Sequence, residues 1–283
     1  MKDISQKDIE NNLKLVASFS GEFRVKNKNF VLSKDNFMII AGPCRLESEE
    51  QMEKVAEVIL NNNLKFIRAG VYKPATFPTS PPGLGEKGLR IFKKITDKYN
   101  LISVSEVMAV DQIELASQYI DVFQIGARNM QNYDLLREIG KSQKPVLLKR
   151  HPGASLRDFL GAAEWLLYYG CQNLILCERG IAAPYTHDKD ARWLLDIQIV
   201  PAIKRITKLP IVLDVSHSSG KREFVPYLAT AVAGSGADGV MIEVHPSPDK
   251  SLSDKNQIID LDVFAELTGK IKKITEVLNK KAV

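Results

Sequence analysis

The chain has 283 residues, of which 45% are hydrophobic and 26% are charged, as is typical of a globular protein. No apolar stretch approaches the roughly 20 residues of a membrane-spanning helix, and the polar N-terminal segment does not resemble a secretory signal. The net charge of +5 comes without the basic stripe or module that nucleic-acid-binding proteins usually carry. The three cysteines are odd in number and unpatterned, which fits a reducing cytosol better than a disulfide framework, so we expect a cytoplasmic protein.

The first 36 residues predict a small extension ahead of the main domain. Residues 6–17 have helical periodicity. Two apolar segments, 23–25 and 30–32, flank a polar turn at 26–29, which predicts a β-hairpin. We expect residues 1–36 to cap the N-terminal mouth of the following domain or to contact another subunit.

From residue 37 onward, eight short apolar runs alternate with segments of helical periodicity. The runs are 38–40, 66–67, 102–104, 122–125, 146–148, 174–176, 211–213 and 240–242. The helical segments are 48–60, 86–99, 131–139, 155–169, 190–206, 221–233 and 261–278. This alternation predicts βαβ units and a parallel sheet. Eight repeats in about 250 residues match a (β/α)8 TIM barrel. We therefore predict an α/β protein with a barrel at 37–283 and a short N-terminal helix/hairpin extension.

A doubly wound open sheet is the alternative to the barrel. Such a sheet places its binding site at one crevice. Here, residues that can bind an anion or a metal follow nearly every run. A closed barrel brings all of these positions to one rim that faces one pocket, so the pattern favours closure.

Four residues after the runs could hold a metal ion. Cys44, His217 and Glu243 follow the first, seventh and eighth runs, which are neighbours in a closed barrel, and Asp254 lies in the loop after the eighth. A thiolate, an imidazole and two carboxylates suit manganese, iron, cobalt or zinc. The alternative is that Cys44 is an inert buried thiol and that His217 caps its loop.

Cationic residues also gather at the ends of the runs. They are Arg68, Lys73, Arg128, Lys149, Arg150 and Arg179. Their convergence suits a substrate that bears phosphate and carboxylate groups. Alternatively, some of them pair with nearby acids such as Glu178, Asp214 or Glu243. Glu106, which follows the third run, could hold or activate a water, or could be a counter-ion to Arg68 or Lys149.

Six motifs, read with their neighbours, resemble the 3-deoxy-D-arabino-heptulosonate 7-phosphate (DAHP) synthases, and in particular their short type Iβ branch. The motifs are AGPC at 41–44, IGARNMQN at 125–132, LLKR at 147–150, CERG at 177–180, MIEVHP at 241–246 and LSD at 252–254. The related 3-deoxy-D-manno-octulosonate 8-phosphate synthases share the fold and the metal set but lack the Gly-Ala-Arg-Asn motif, so they match less well.

The resemblance implies a C–C bond-forming transferase that condenses phosphoenolpyruvate with a phosphorylated aldose, by default erythrose 4-phosphate, at the start of the shikimate pathway of aromatic amino acid biosynthesis. It implies a divalent metal ion, with manganese, iron, cobalt and zinc all open, held by Cys44, His217, Glu243 and Asp254. It implies that phosphoenolpyruvate is bound by Arg68, Lys73, Ala127, Arg128, Lys149 and Arg179. The catalytic residues that it implies are Lys73, Glu106, Lys149 and His217. It also suggests a homotetramer or homodimer.

The chain departs from this family pattern at the presumed acceptor end. The family normally reads Lys-Pro-Arg-Thr after the second strand, whereas this chain has Ala75 in place of that arginine. Arg45 stands where the family commonly has serine, Trp193 and Leu194 replace an Asn-Thr pair, and Lys255 replaces glycine.

These departures leave two interpretations of the acceptor open. We assign the acceptor subsite to Arg45, Pro74, Thr76 and Asp254. Arg45 either binds the same phosphate, which keeps erythrose 4-phosphate as the acceptor, or the acceptor is another aldose, as in a related 3-deoxy-ulosonate synthase. A catalytically silent barrel that binds a metabolite is a third alternative, against which the intact metal set argues.

Overall fold

The computed structural model describes residues 4–73, 79, 83–184 and 191–283. The strands are β1 (Arg24–Val25), β2 (Phe30–Val31), β3 (Asn36–Gly42), β4 (Phe66–Arg68), β5 (Ile102–Glu106), β6 (Val122–Ile125), β7 (Val146–Lys149), β8 (Leu174–Glu178), β9 (Ile211–Asp214), β10 (Gly239–Glu243) and β11 (Lys281–Ala282). The helices are α1 (Gln6–Asn12), α2 (Lys14–Ala17), α3 (Glu49–Asn61), α4 (Gly85–Lys98), α5 (Ile113–Ser117), α6 (Tyr133–Lys141), α7 (Leu156–Tyr168), α8 (Ile199–Lys204), α9 (Val215–Ser219), α10 (Val225–Gly234) and α11 (Leu261–Val277).

Strands β3 to β10 form a closed parallel barrel. Each pairs in parallel with the next along the chain, and β10 returns to pair with β3 from Gly239↔Met38 to Glu243↔Gly42. A helix follows every barrel strand, as in a (β/α)8 barrel. The predicted TIM barrel is therefore confirmed, each apolar run lies in a barrel strand, and the open sheet is excluded.

The barrel has an interior core and an exterior core, because successive side chains of a strand point to opposite faces. In β3, Met38 and Ile40 belong to the interior cluster, whereas Phe37 and Ile39 pack outward in the cluster that contains the helices. The interior packing keeps the carboxyl ends of the strands at a fixed spacing. That end of the barrel carries the polar residues described below.

The predicted hairpin is confirmed and packs against the amino-terminal end of the barrel. Strands β1 and β2 pair in an antiparallel manner, and Asn29 takes a left-handed conformation (φ 48°) in the turn. Phe23, Val25 and Phe30 are buried in the interior cluster, and the ring of Phe30 meets that of Phe66 edge-on at 5.0 Å between centroids. The segment therefore adds apolar contacts below the barrel.

Most helix predictions agree with the structure to within a few residues, and side-chain caps fix several helix starts. The side chains of Ser48, Asn132 and Ser155 accept hydrogen bonds from the first turns of α3, α6 and α7. The helix predicted over 6–17 is instead two helices that meet at Leu13 (φ −125°, ψ 38°).

The helix predicted over 190–206 is wrong in its first half. Residue 190 lies outside the described residues, and within 191–206 the helix is confined to Ile199–Lys204. Upstream, Leu194 exchanges backbone hydrogen bonds with Ile181, and the backbone N–H of Trp193 donates to the carbonyl of Ser218 at 2.9 Å. These tertiary bonds outweigh the helical periodicity. The five-residue helix α5 was not predicted because it is too short to show a period.

Within the described ranges, no helix is long and apolar enough to cross a membrane.

Candidate active site

A cavity of about 590 Å³ opens at the carboxyl end of the barrel strands. Of the described residues, the cationic side chains that line it are Arg45, Arg68, Lys73, Arg128, Lys149, Arg179 and Arg192. The carboxylates that line it are Glu106 and Asp254, and Cys44, Ala127 and His217 contribute to the wall. The cavity therefore has a surplus of positive charge and suits an anionic ligand.

The four proposed metal ligands come together at the wall of this cavity, which three of them line, while Glu243 is fully buried beside them. The candidate donor atoms of Cys44, His217, Glu243 and Asp254 all lie within 4.8 Å of one another. The Cys44 Sγ is 2.8 Å from Asp254 Oδ2, and His217 Nε2 is 3.5 Å from Glu243 Oε1. A cluster of one sulfur, one nitrogen and two carboxylate donors fits a borderline divalent metal such as manganese, iron, cobalt or zinc.

Local structure places these donors at the rim. Cys44 follows β3 directly after Gly42, whose φ of 151° puts any added Cβ 1.9 Å from the Arg68 carbonyl oxygen, so only glycine fits there. His217 lies in α9, which begins right after β9. Asp254 has a left-handed backbone (φ 52°) in the loop after β10.

Asp214 orients the imidazole of His217. Its carboxylate caps α9 by accepting from the His217 backbone N–H at 3.0 Å, and Oδ2 lies 2.8 Å from His217 Nδ1. The same oxygen bonds the Lys149 ammonium. This leaves His217 Nε2 facing the other donors, as carboxylate-bound histidine ligands usually do.

The protonation states in the cluster follow from burial and charge. Burial lowers the pKa of His217, although Asp214 and Glu243 oppose this shift, which favours the neutral imidazole that binds metals. Burial by itself would raise the pKa of Asp214, but the charge of Lys149 and the hydrogen bonds from His217 outweigh it and hold that pKa well below its usual range. Asp214 is therefore ionised at neutral pH.

The thiol of Cys44 needs a positive partner to ionise. Burial is the largest effect and raises its pKa, and Glu243 adds to the shift. Lys73 opposes it, with Nζ 2.7 Å from Cys44 Sγ. The thiol is therefore protonated when no cation is bound, and a ligand role for Cys44 rests on the closeness of its Sγ to the other three donors.

Arg68 links the metal cluster to the anion-binding part of the cavity. Its terminal nitrogen Nη1 donates to Glu243 Oε1, and Gln257 Nε2 donates to the other oxygen of that carboxylate. The Nε of Arg68 is buried without a hydrogen-bond partner among the described residues. A buried donor of this kind is costly unless a ligand accepts from it.

The remaining cations divide into paired and unpaired groups. Arg150 is not in the cavity, because it bonds Glu178 at 3.1 Å and Asp196 at 3.0 Å, so the ion-pair interpretation holds for it. Within the described part of the chain, Arg128 and Arg179 make no ion pair. Their charge is available to a ligand.

Glu106 is buried in the cavity wall, and the described residues give it no ion pair. The ion pairs of Arg68 and Lys149 go to Glu243 and Asp214 instead, so neither cation is in direct contact with Glu106. Burial raises the pKa of Glu106, and the nearby charge of Lys149 opposes the shift. A Cβ at Gly126 would lie 1.9 Å from its Oε1, so this glycine makes room for the carboxylate.

The presumed acceptor end is less fully described. Arg45 is buried and lines the cavity, whereas Pro74, Ala75 and Thr76 lie outside the described residues. Two lining residues were missed as site candidates. The Arg192 NH1 donates to Asp254 Oδ1 at 3.0 Å and to Gln257 Oε1 at 2.8 Å. Trp193, noted only as a departure from the family pattern, has its ring against Arg179.

Comparison with known proteins identifies the family of this chain. Residues 22–280 match the DAHP synthetase I family. The chain belongs to this family. It is 43% identical over 245 residues to a phospho-2-dehydro-3-deoxyheptonate aldolase from Thermotoga maritima, which covers 87% of this chain and 72% of that relative. A 2-dehydro-3-deoxyphosphooctonate aldolase from Geobacter sulfurreducens is 30% identical over 259 residues, covering 85% and 93%.

Solved structures of family members have the same fold. A crystal structure of the Thermotoga maritima phospho-2-dehydro-3-deoxyheptonate aldolase (DAHP synthase) superposes with a TM-score of 0.84 at 41% identity, covering 90% of this chain and 73% of that one. A truncated form of 3-deoxy-D-arabino-heptulosonate 7-phosphate synthase from the same organism gives a TM-score of 0.86 at 37% identity, covering 96% and 100%. The heptonate relatives thus share more identity with this chain than the octonate relative does.

Proposed function

We propose that this protein condenses phosphoenolpyruvate with erythrose 4-phosphate to give DAHP and inorganic phosphate. The observation that carries the proposal is the juxtaposition of four metal donor atoms within 4.8 Å and a cavity with surplus positive charge. Family membership supports the same reaction class. In this reaction carbon 3 of phosphoenolpyruvate attacks the aldehyde carbon, water adds at carbon 2, and phosphate leaves by C–O cleavage.

The cationic wall is suited to binding the phosphoenolpyruvate anion. Arg128 and Arg179 have no ion pair among the described residues, and Arg68 has a free buried Nε. Guanidinium groups bind phosphate and carboxylate through paired hydrogen bonds. The ammonium groups of Lys73 and Lys149 and the backbone at Ala127 complete the proposed subsite.

The donor cluster would hold a divalent metal ion through Cys44, His217, Glu243 and Asp254. When bound there, such an ion supplies Lewis-acid polarisation of the aldehyde oxygen. Asp214 keeps His217 oriented by accepting from Nδ1, and Gln257 holds the second oxygen of Glu243. These contacts preorganise the ligands.

Glu106 and Lys149 are placed to manage water and protons. Glu106 has no ion pair within the described chain and keeps a raised pKa because it is buried, so it can hold the attacking water and accept its proton. The Lys149 Nζ lies in the same wall, bonded to Asp214. The positive charge of this ammonium group stabilises the anionic intermediate, and the group can donate a proton to it.

At the acceptor end, we propose that Arg45 binds the terminal phosphate, with Pro74, Thr76 and Asp254 lining the rest of the subsite. Arg45 is buried at the edge of the cavity, next in sequence to the proposed ligand Cys44. This role would compensate for the alanine at position 75. Another aldose as acceptor is the outcome that the experiment below separates from it.

The test is an acceptor screen. Purified protein is incubated with phosphoenolpyruvate, one of manganese, iron, cobalt or zinc, and a panel of aldoses with and without a terminal phosphate. Phosphate release and product mass are measured. The expected result is a seven-carbon product with erythrose 4-phosphate that is abolished by a chelator. No turnover with any aldose, alongside tight binding of phosphoenolpyruvate, would establish a silent metabolite-binding barrel.

We further propose that residues 1–36 are an extension of one catalytic domain at 37–283, and that the enzyme is a cytoplasmic homotetramer or homodimer. The three cysteines of the chain are all free, which is consistent with a reducing compartment. Light scattering of the purified protein measures the assembly directly, and a monomer at working concentration would contradict the proposal.

A further inference from the structure

Hydrogen bonds to two different segments of the cavity wall hold the backbone at Trp193 and Leu194 in place. The Trp193 backbone N–H donates to the Ser218 carbonyl at 2.9 Å, so it is tied to α9, the helix that carries His217. The next residue, Leu194, exchanges two backbone hydrogen bonds with Ile181, just after the strand end that carries Arg179. The backbone at Trp193 is therefore fixed between α9 and the residues that follow β8.

The indole faces the guanidinium of Arg179. The Arg179 Cζ lies 5.7 Å from the ring centroid of Trp193, within the range of a cation–π contact. Both side chains line the cavity. Gly180 allows this approach, because an added Cβ there would lie 2.5 Å from the Cβ of Trp193, and its φ of 99° also favours glycine.

Apart from the Trp193 ring, few contacts among the described residues hold the Arg179 guanidinium in place. Arg179 is buried to 8% exposure, and among the described residues it makes no ion pair or hydrogen bond that would fix its guanidinium. Burial lowers its pKa, although Asp214 opposes the shift. The face of an aromatic ring attracts a buried cation without neutralising its charge, so the guanidinium keeps its donors for a ligand.

We propose that Trp193 is a positioning residue that holds the guanidinium of Arg179 toward the cavity and thereby sets the affinity for the donor anion. This inference rests on the proposed function, in which Arg179 binds phosphoenolpyruvate. A carboxylate at this position would pair with Arg179 and compete with the substrate, whereas an indole orients the same charge and leaves it available. The cost of ordering Arg179 is then met before the substrate arrives.

The kinetic test compares Trp193→Phe with Trp193→Leu. Loss of the aromatic face in Trp193→Leu should raise KM for phosphoenolpyruvate about three- to tenfold, with kcat changed less than about twofold. Trp193→Phe keeps an aromatic face and should retain most of the wild-type KM. Equal KM increases in the two variants, or a loss confined to kcat, would overturn the inference and leave only a packing role.

A binding measurement separates this inference from the proposed function. The chain has two tryptophans, and Trp165 lies on the outer surface of α7, so Trp165→Phe leaves Trp193 as the only indole fluorophore. Titration of the metal-loaded Trp165→Phe protein with phosphoenolpyruvate should change the fluorescence of Trp193 in a saturable manner. The matched control, Trp193→Phe, should bind the ligand by calorimetry without this signal.

Failure of the inference about Trp193 and failure of the proposed function give different results. If wild-type protein releases phosphate and makes product, but phosphoenolpyruvate leaves the Trp193 fluorescence unchanged and Trp193→Leu has the wild-type KM, the inference about Trp193 is wrong and the proposed function stands. If wild-type protein neither binds phosphoenolpyruvate nor releases phosphate, the proposed function itself is wrong.

Discussion

The two ends of this barrel are built from opposite kinds of residue. At the amino-terminal end, Phe23, Val25 and Phe30 of the hairpin join the interior core, and the charged groups that the hairpin meets there have partners, with Lys28 3.6 Å from Asp97 and Asn27 donating to the buried Asp121. At the carboxyl end, cations that include Arg128 and Arg179 line a cavity without an ion pair among the described residues. The first arrangement is stabilising, whereas the burial of Arg179 without an ion pair is costly unless an anionic ligand binds. One end therefore maintains the fold, and the other is free to carry out chemistry.

The sharpest test of this division is to remove a proposed metal ligand from the carboxyl end. Cys44→Ala should lower kcat by about a thousandfold, equivalent to ~4 kcal/mol, because one of four donors is lost. The melting temperature of the metal-free protein should change little, and calorimetry should show weakened metal binding. Cys171→Ala removes a buried thiol outside the cavity and should keep full activity. Equal losses in the two variants would contradict a ligand role for Cys44.

The reciprocal experiment removes apolar area from the amino-terminal end. Phe30→Ala should lower the free energy of unfolding by roughly 3 kcal/mol, because Phe30 is 6% exposed and contacts Phe66. The specific activity of the folded protein should stay near that of wild type. Urea unfolding measures the loss, and Val31→Ala, at a half-exposed position of the same hairpin, should cost far less. A large drop in kcat with unchanged stability would break the division between the ends.

Substitution of Glu106 tests whether a residue at the carboxyl end supports catalysis while lowering the stability of the fold. Glu106→Gln should lower kcat about a hundredfold, the lower end of general acid–base effects. The pH–rate profile should lose an acid limb that lies above the ordinary glutamate range, because burial raises this pKa and the carboxylate must be ionised to accept a proton.

The same shift predicts the direction of the stability change. A raised folded-state pKa means that the stabilising contribution of Glu106 is present at low pH and is lost as pH rises through that pKa. At neutral pH the glutamine variant should therefore unfold at an equal or higher temperature than wild type. A clear decrease in the melting temperature would show that Glu106 is structural.

The smallest expected effect is at the exposed edge of the cavity. Arg128→Gln should raise KM for phosphoenolpyruvate about tenfold, or ~1.4 kcal/mol, because one charged contact is lost. Arg205→Gln removes an exposed cation at the end of α8, outside the cavity, and should leave KM unchanged. The same KM increase in both variants would indicate a general effect of net charge.

Much of this arrangement could be predicted from the chain, because strand length and direction follow from the apolar runs. Once the runs form a closed barrel, residues that follow them must meet at one rim, and Cys44, His217 and Glu243 do so. Which cations are neutralised could not be predicted, because that depends on contacts across the barrel. Lys149 and Arg150 both pair with buried acids, yet only Lys149 lines the cavity, and Arg128 lines it with no ion pair among the described residues.

The segment before α8 was misread for a related reason. Its helical periodicity is real, but hydrogen bonds from Trp193 and Leu194 to distant backbone groups determine its conformation. Arg192 was missed because its partner Asp254 lies 62 residues further along the chain. Such contacts leave no local pattern in a sequence.

The closure of the barrel also fixes when the metal cluster can exist. Cys44 and Asp254 are 210 residues apart in the chain, and they meet only because β10 returns to β3. A ribosome must therefore complete all eight barrel strands before the donors can assemble, and a nascent chain arrested before β10 offers no complete site. We therefore expect that a metal ion can occupy the proposed site only after the barrel has closed.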